Sequence, residues 1–424
     1  MKIVHIAAGD FFSTYGGGQV YVKNIVNEMI DMGLDICVVS TTDVSHPVLK
    51  KFRSCSLYEI PLHISDEELL KIVSFLNPTI IHAHSHKDVV CRIGKQIGVP
   101  VVVTAHHGGI LCPAGTRLNN KDRICYTEVS HENCLPCKMR ELPGGKRLWY
   151  PFTRLIPRTL YISIGRWFSN KRFIPMITPL SCSALYIERK REQWADIADK
   201  CTCMIAPCKD IKEAMIQNGL SASKVKIVPH GVPMPTIRPP YPPVMDGKVK
   251  FYYVGRICYV KGIHVLLDAF HSVDNLQIEL HLIGGAANRH ERAYMSRLQR
   301  SYQNDKRIIW HGKITPAEVY NATANFHVSV VSSYLEVFGL NIAEALALGK
   351  PVLTTRCGGG EQQIIDRVNG WLVPTNDAKA LADKIRIISN HPEILYAMSK
   401  QCCATSVRYH CEQLLKVYDQ CITH

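Results

Sequence analysis

Six prolines fall within the eleven residues from Pro233 to Pro243. Neither a strand ladder nor a helix runs through such a stretch, because proline has no N–H to donate and fixes φ. The stretch reads as a linker. It divides the 424 residues into two parts, each long enough to bury its own core.

On both sides of the linker, apolar β-branched runs alternate with helical periodicity. Lys2 to Ala8 reads as a buried strand, Tyr15-Gly16-Gly17-Gly18 as a glycine-rich loop, and Val22, Ile25, Val26, Met29 and Ile30 as the apolar face of a helix. Asp35 to Ser40 is the next strand, and Thr79 to Ala83 and Val99 to Thr104 follow with a helix over Asp88 to Ile97. Beyond the linker, strands are predicted over Lys248 to Val254, Leu276 to Ile283 and Arg307 to Trp310, with helices over Ile263 to Phe270 and near Ala293 to Gln303. This alternation predicts an α/β chain of two doubly wound, mostly parallel domains. The expected division is 1–235, 236–404 and a last helix over 405–424.

In such units ligands bind beyond the carboxyl ends of strands, against helix N-termini. Three places qualify. The run from Phe326 to Thr355, FHVSVVSSYLEVFGLNIAEALALGKPVLTT, reads as strand, loop, helix and strand, with Glu336 in the loop and Glu344 on the helix. Gly255-Arg256 and Lys261-Gly262 follow a strand end and put a forked donor and a point charge where a diphosphate would sit. The spacing is not that of a P-loop. His106 and His107 follow the strand ending at Thr104. Two histidines there also admit a metal, but no carboxylate flanks them. The chain has no Asp-x-Asp pair, so cationic side chains and helix starts would have to take over the work of a metal clamp on a diphosphate.

Charge and cysteine narrow the partners. A formal net charge of +14 points to an anionic partner. Between Lys138 and Arg172, nine basic residues stand against Glu141 alone, mixed with Trp149, Tyr150, Phe152, Trp167 and Phe168. This basic aromatic segment suits an anionic membrane face; stacking on nucleic-acid bases or a plain solvated face are the other readings. Seventeen cysteines and an apolar N-terminal run broken by His5 and Asp10 suggest a reducing compartment rather than a disulfide framework. The longest uncharged span candidate, Phe173 to Ile187, falls short of the roughly 20 residues needed to cross a bilayer. An irregular insertion over 112–137 holds Cys112, Cys125, Cys134 and Cys137. Four thiolates there admit a structural zinc, with four reduced cysteines in a small apolar cluster as the alternative.

The ordered set Gly255-Arg256-x4-Lys261-Gly262, Glu336-x7-Glu344 within EVFGLNIAEALALGKPV, and GGGEQQIIDRVNGWLVP from Gly358 to Pro374 resembles the retaining GT-B glycosyltransferases of family 4. The resemblance covers nearly the whole chain. It implies two Rossmann-like domains facing across a cleft, an acceptor-side domain first and a nucleotide-sugar domain second, with the last helix crossing back to the first. It also implies that Glu344 holds the donor ribose and Glu336 the sugar hydroxyls. Arg256 and Lys261 would neutralise the diphosphate with backbone at Phe338, Gly339 and Leu340, His106 would stand near the sugar, and Gly17 and Gly18 would line the donor phosphate and the acceptor side. No cofactor is required for catalysis in this reading.

The function expected is hexosyl transfer from a nucleoside-diphosphate sugar to a lipid-linked or surface-polysaccharide acceptor, lipopolysaccharide included. The enzyme would be cytoplasmic, peripheral at the inner membrane face, with no specific nucleic acid as partner. The alternatives are an epimerase or hydrolase of the same fold, or a non-catalytic nucleotide-sugar or nucleic-acid binding module.

Overall fold

A computed structural model describes residues 1–12, 16–140, 150–169, 178–315 and 318–423. The chain forms two compact units. The first comprises Met1–Ala8, Leu34–Ile227 and Val417–His424, and the second Gly9–Gly33 and Val228–Lys416. The break therefore falls at Ile227 and Val228, ahead of the position 235 expected. The helix Gly17–Asp31 groups with the second unit although it joins two strands of the first.

The first unit holds β1 (Lys2–Ala8), β2 (Asp35–Thr42), β3 (Val48–Phe52), β4 (Cys55–Pro61), β5 (Ile80–Ala83), β6 (Val101–Thr104), β7 (Cys203–Ala206) and β8 (Val225–Ile227). Their order in the sheet is β3-β4-β2-β1-β5-β6-β7-β8. All neighbours run parallel except β3 against β4. β1 is buried from Ile3 to Ala7 without alternation, as befits a central strand covered on both faces. The sequence pattern does not announce the β3–β4 hairpin, because VLKKF puts Lys50 and Lys51 on an exposed edge and weakens the apolar signal.

The second unit holds β9 (Val249–Val254), β10 (Ile278–Ile283), β11 (Ile308–Gly312), β12 (Val328–Val331), β13 (Val352–Thr355) and β14 (Gly370–Val373). Their order is β11-β10-β9-β12-β13-β14, all parallel. Alternate residues feed two cores. Val249, Phe251, Tyr253, Val328, Val330 and Leu353 join one, while Tyr252, Val331 and Val352 join the other.

Each sheet reverses its winding direction once. In the first unit the chain steps outward from β1 on one side and from β5 on the other; in the second, from β9 and from β12. Loops diverge at such a point and leave a crevice for a ligand. The residues picked from sequence lie there: Gly255 to Gly262 follow β9, and Ser332 to Phe338 follow β12.

Candidate functional site

In the second unit the two loops beside the switch point are tied together by backbone contacts that leave room for little besides glycine. Gly262 has φ +63°, and a Cβ on it would come within 2.1 Å of the Ser332 carbonyl oxygen. The Ser332 hydroxyl donates to the carbonyls of Lys261 and Gly262, each at 3.0 Å, and the Tyr334 N–H donates to the Val260 carbonyl at 2.9 Å. On the other side, the Glu336 N–H donates to the Cys357 carbonyl and the Gly359 N–H to the Glu336 carbonyl, both at 2.8 Å. A Cβ on Gly359 would lie 2.2 Å from the Phe338 carbonyl oxygen. Glu336 is thus held between the carboxyl ends of β9 and β13.

Its side chain is equally constrained. Lys261 Nζ and Ser333 Oγ each donate to Glu336 Oε1 at 2.6 Å, and the Glu336 side chain is only 8% exposed. Lys261 and Glu336, expected on different parts of the donor, meet each other in an ion pair shielded from water. The pair is short and charge-assisted, and it leaves Glu336 Oε2 as the oxygen not engaged by these two donors. Arg256 is more exposed and pairs with Glu291 at 3.5 Å.

The helix Leu340–Ala347 begins after Gly339, whose φ of +84° lets the chain turn abruptly into it. Its first amides lack acceptors within the helix and carry the positive end of its dipole. Asn341 Nδ2 donates to the Val254 carbonyl at 3.1 Å, tying this helix start to the end of β9. Gln363 Nε2 donates to the carbonyls of Phe338, Gly339 and Gly359. A Cβ on Gly17 would stand 3.6 Å from Leu340 Cδ1, so the glycine-rich start of the helix Gly17–Asp31 lies against the start of the helix Leu340–Ala347. Tyr15 lies outside the described residues.

Glu344 differs from Glu336. It is half-buried, no hydrogen bond to its carboxylate is formed among the described residues, and burial pushes its pKa up to about 7. A carboxylate desolvated without donors gains most from a ligand that brings hydroxyls.

In the first unit His106 follows β6. Its Nε2 lies 3.0 Å from His84 Nδ1, and His84 Nε2 lies 3.1 Å from His5 Nδ1. His107 instead caps a short turn, its Nδ1 accepting from the Gly109 N–H at 3.0 Å. Among the described residues, the one group with three potential metal-ligand atoms within 4.8 Å of each other is His5, His82 and His84. The four insertion cysteines form no such group. Cys112, Cys125 and Cys134 line a small, partly open pocket with Arg117 and Asn218, none of the four is joined in a disulfide among the described residues, and the insertion is anchored by the buried pair of Arg117 with Asp210 at 2.7 Å.

The basic aromatic segment is described in part, since 141–149 and 170–172 lie outside the described residues, as do 173–177 of the span candidate. The helix Arg158–Ser169 buries Tyr161 and Gly165 against the helix Ser183–Lys200, where a Cβ on Gly165 would meet the Leu185 side chain at 2.9 Å. It turns Leu160 and Trp167 outward, exposed at 53% and 58%. No helix among the described residues is long and apolar enough to cross a membrane.

Against known proteins, the family match falls in the second unit. Residues 240–402 match the family model described as "Glycosyl transferases group 1". Among curated proteins, the chain is 27% identical over 195 residues to a D-inositol 3-phosphate glycosyltransferase of Xylanimonas cellulosilytica, covering 42% of this chain and 46% of that protein. It is 30% identical over 155 residues to the capsular polysaccharide biosynthesis glycosyltransferase CapM of Staphylococcus aureus, covering 35% and 39%. The chain spans about half the length of the curated relatives it matches. Among solved structures, Anabaena HepE in complex with UDP superposes with TM-score 0.67 at 15% identity, covering 99% of this chain and all of that one. Sucrose-phosphate synthase from Thermosynechococcus elongatus does so with TM-score 0.68 at 19% identity over all of both chains. The α/β fold of two Rossmann-like units is the fold of these proteins, the GT-B fold expected from sequence.

Proposed function

We propose that the chain is a retaining hexosyltransferase of glycosyltransferase family 4. It moves a sugar from a nucleoside diphosphate to a hydroxyl of a lipid-linked or surface-polysaccharide acceptor. The observation that carries this reading is the Glu336–Lys261 pair, held at the loop after β12, with the undonated Glu344 carboxylate on the helix that follows that loop, within the residues that match the family model. Glu344 takes two ribose hydroxyls. Arg256, Lys261 and the amides at Phe338 to Leu340 neutralise the departing diphosphate, while Glu336 orients the sugar and stabilises its positive charge. The bond from the anomeric carbon to phosphate breaks and the acceptor oxygen bonds to that carbon on the same face. The acceptor proton passes to the leaving phosphate.

The likeness to a structure of HepE with UDP-glucose supports UDP-glucose as the first donor to try. The likeness to a lipopolysaccharide 1,6-galactosyltransferase of Salmonella typhimurium, 27% identical over 170 residues with 38% of this chain and 45% of that protein covered, supports a glycan acceptor. The test is product analysis with labelled UDP-hexoses, with and without lipid-linked and oligosaccharide acceptors. Label in the acceptor with stoichiometric nucleoside diphosphate is expected. Free sugar or an epimer formed equally without acceptor replaces transfer by hydrolysis or epimerisation.

The same reading places the protein at the inner membrane face. Leu155 and Phe152, exposed at 80% and 62%, add to the outward-facing Leu160 and Trp167 within a strongly basic segment, the combination that binds anionic headgroups. Co-sedimentation with phosphatidylglycerol vesicles is expected at low salt, falling several-fold in Leu155→Ala/Trp167→Ala and with added salt. Equal recovery with neutral vesicles, or none with either, removes the membrane from the proposal.

A further inference from the structure

His5, His84 and His106 form a chain of three imidazoles linked at 3.1 Å and 3.0 Å, and its two ends are not equivalent. His5 is wholly buried, and its Nε2 meets no hydrogen-bond partner. Burial lowers the His5 pKa to about 3, and burial together with the neighbouring histidines and Lys87 holds His84 well below its ordinary value. Both rings are therefore neutral at physiological pH, each with one N–H and one lone pair.

Only two proton orders then satisfy both links. In one, His106 donates to His84 and His84 to His5, so the remaining proton of His5 sits on Nε2 as a buried N–H with no acceptor. In the other, His5 donates from Nδ1 to His84 Nε2, and His84 donates from Nδ1 to His106 Nε2. The unpartnered atom is then a bare lone pair. An orphaned buried N–H is the rarer and costlier of the two. The second order wins.

We propose that His5 and His84 are positioning residues that hold His106 in the Nδ1–H tautomer, with its Nε2 lone pair consumed. His106 then presents a hydrogen-bond donor and no free basic nitrogen. In the transferase reading, on which this functional clause rests, it donates to a sugar or phosphate oxygen and does not take the acceptor proton. The buried cluster is not read as a cation site. Both nitrogens of His82 are engaged, at 2.6 Å to Tyr418 Oη and 2.6 Å to Thr104 Oγ1, and those of His84 by its two histidine neighbours.

The test is long-range proton–nitrogen NMR on protein labelled with ¹⁵N at the histidine rings, the His106 signals being assigned by their loss in His106→Gln. The Nδ1–H pattern is expected at His106 in the unaltered protein; an Nε2–H or doubly protonated ring overturns the proposal without any variant. His84→Gln keeps an amide N–H able to donate and is expected to retain the tautomer. His84→Leu and His5→Leu are expected to release it into a mixture, and an unchanged pattern in folded samples of both overturns the relay. Transfer kinetics add a separable arm. His84→Leu is expected to lower kcat about tenfold with little change in the donor KM, and His84→Gln to restore most of it. If the unaltered protein shows the predicted tautomer but transfers no sugar, the function fails and the relay stands.

Discussion

Glu336→Gln is expected to lower kcat for sugar transfer by roughly 10²- to 10³-fold, the usual cost of removing one preorganised electrostatic partner of a transition state. Glutamine keeps the shape and the Ser333 contact but removes the charge that balances Lys261 Nζ at 2.6 Å. Leaving a shielded ammonium without its partner also costs stability, so the melting temperature should fall by several degrees while circular dichroism stays the same. Steady-state kinetics beside calorimetric donor binding separate the effects. Donor affinity should change far less than kcat, because an added positive field favours the diphosphate even as the charge facing the sugar is lost. Full turnover in the variant would remove Glu336 from the site.

Glu344→Gln should act on binding and stability in opposite directions. A charged acceptor for two hydroxyls contributes about 1.5–3 kcal/mol per hydrogen bond, so donor affinity should fall at least tenfold at pH 8. The carboxyl pKa is raised by burial to about 7 from an ordinary 4.5. The sign follows: the folded state holds the proton more tightly than the unfolded chain, so the native protein has its full stability below pH 4.5 and loses it as the pH rises through 7. The loss is on the order of 3 kcal/mol across that window. The glutamine variant lacks this slope and should melt above the native protein at pH 8 while matching it more closely at pH 5. Donor affinity of the native protein should rise over the same interval, since ribose hydroxyls donate to the ionised form. Melting curves and donor titrations from pH 5 to 8.5 check both, and parallel profiles for the two proteins would contradict the assignment.

The local grammar of the chain was readable where it was strongest. The helix expected from Leu340 is Leu340–Ala347, and the strands at Lys2, Val249 and Val352 lie where β-branched runs announced them, because periodicity and glycine stops are short-range properties. Glu336, Glu344, Arg256 and Lys261 were found as residues at strand ends. Ser333, Asn341 and Gln363 carry no such signal, being ordinary polar residues until the fold turns them onto a loop.

By itself, then, the sequence determined the alternation of strands and helices and the short list of charged residues placed beyond strand ends. These are all consequences of neighbours along the chain. Only the tertiary structure decided that Lys261 closes on Glu336 across 75 positions, that the helix Gly17–Asp31 groups with the later unit, and that His5 reaches His84 from 79 positions away. Such contacts depend on strand order and register, which bring distant residues together at a cost in chain entropy that no local pattern records.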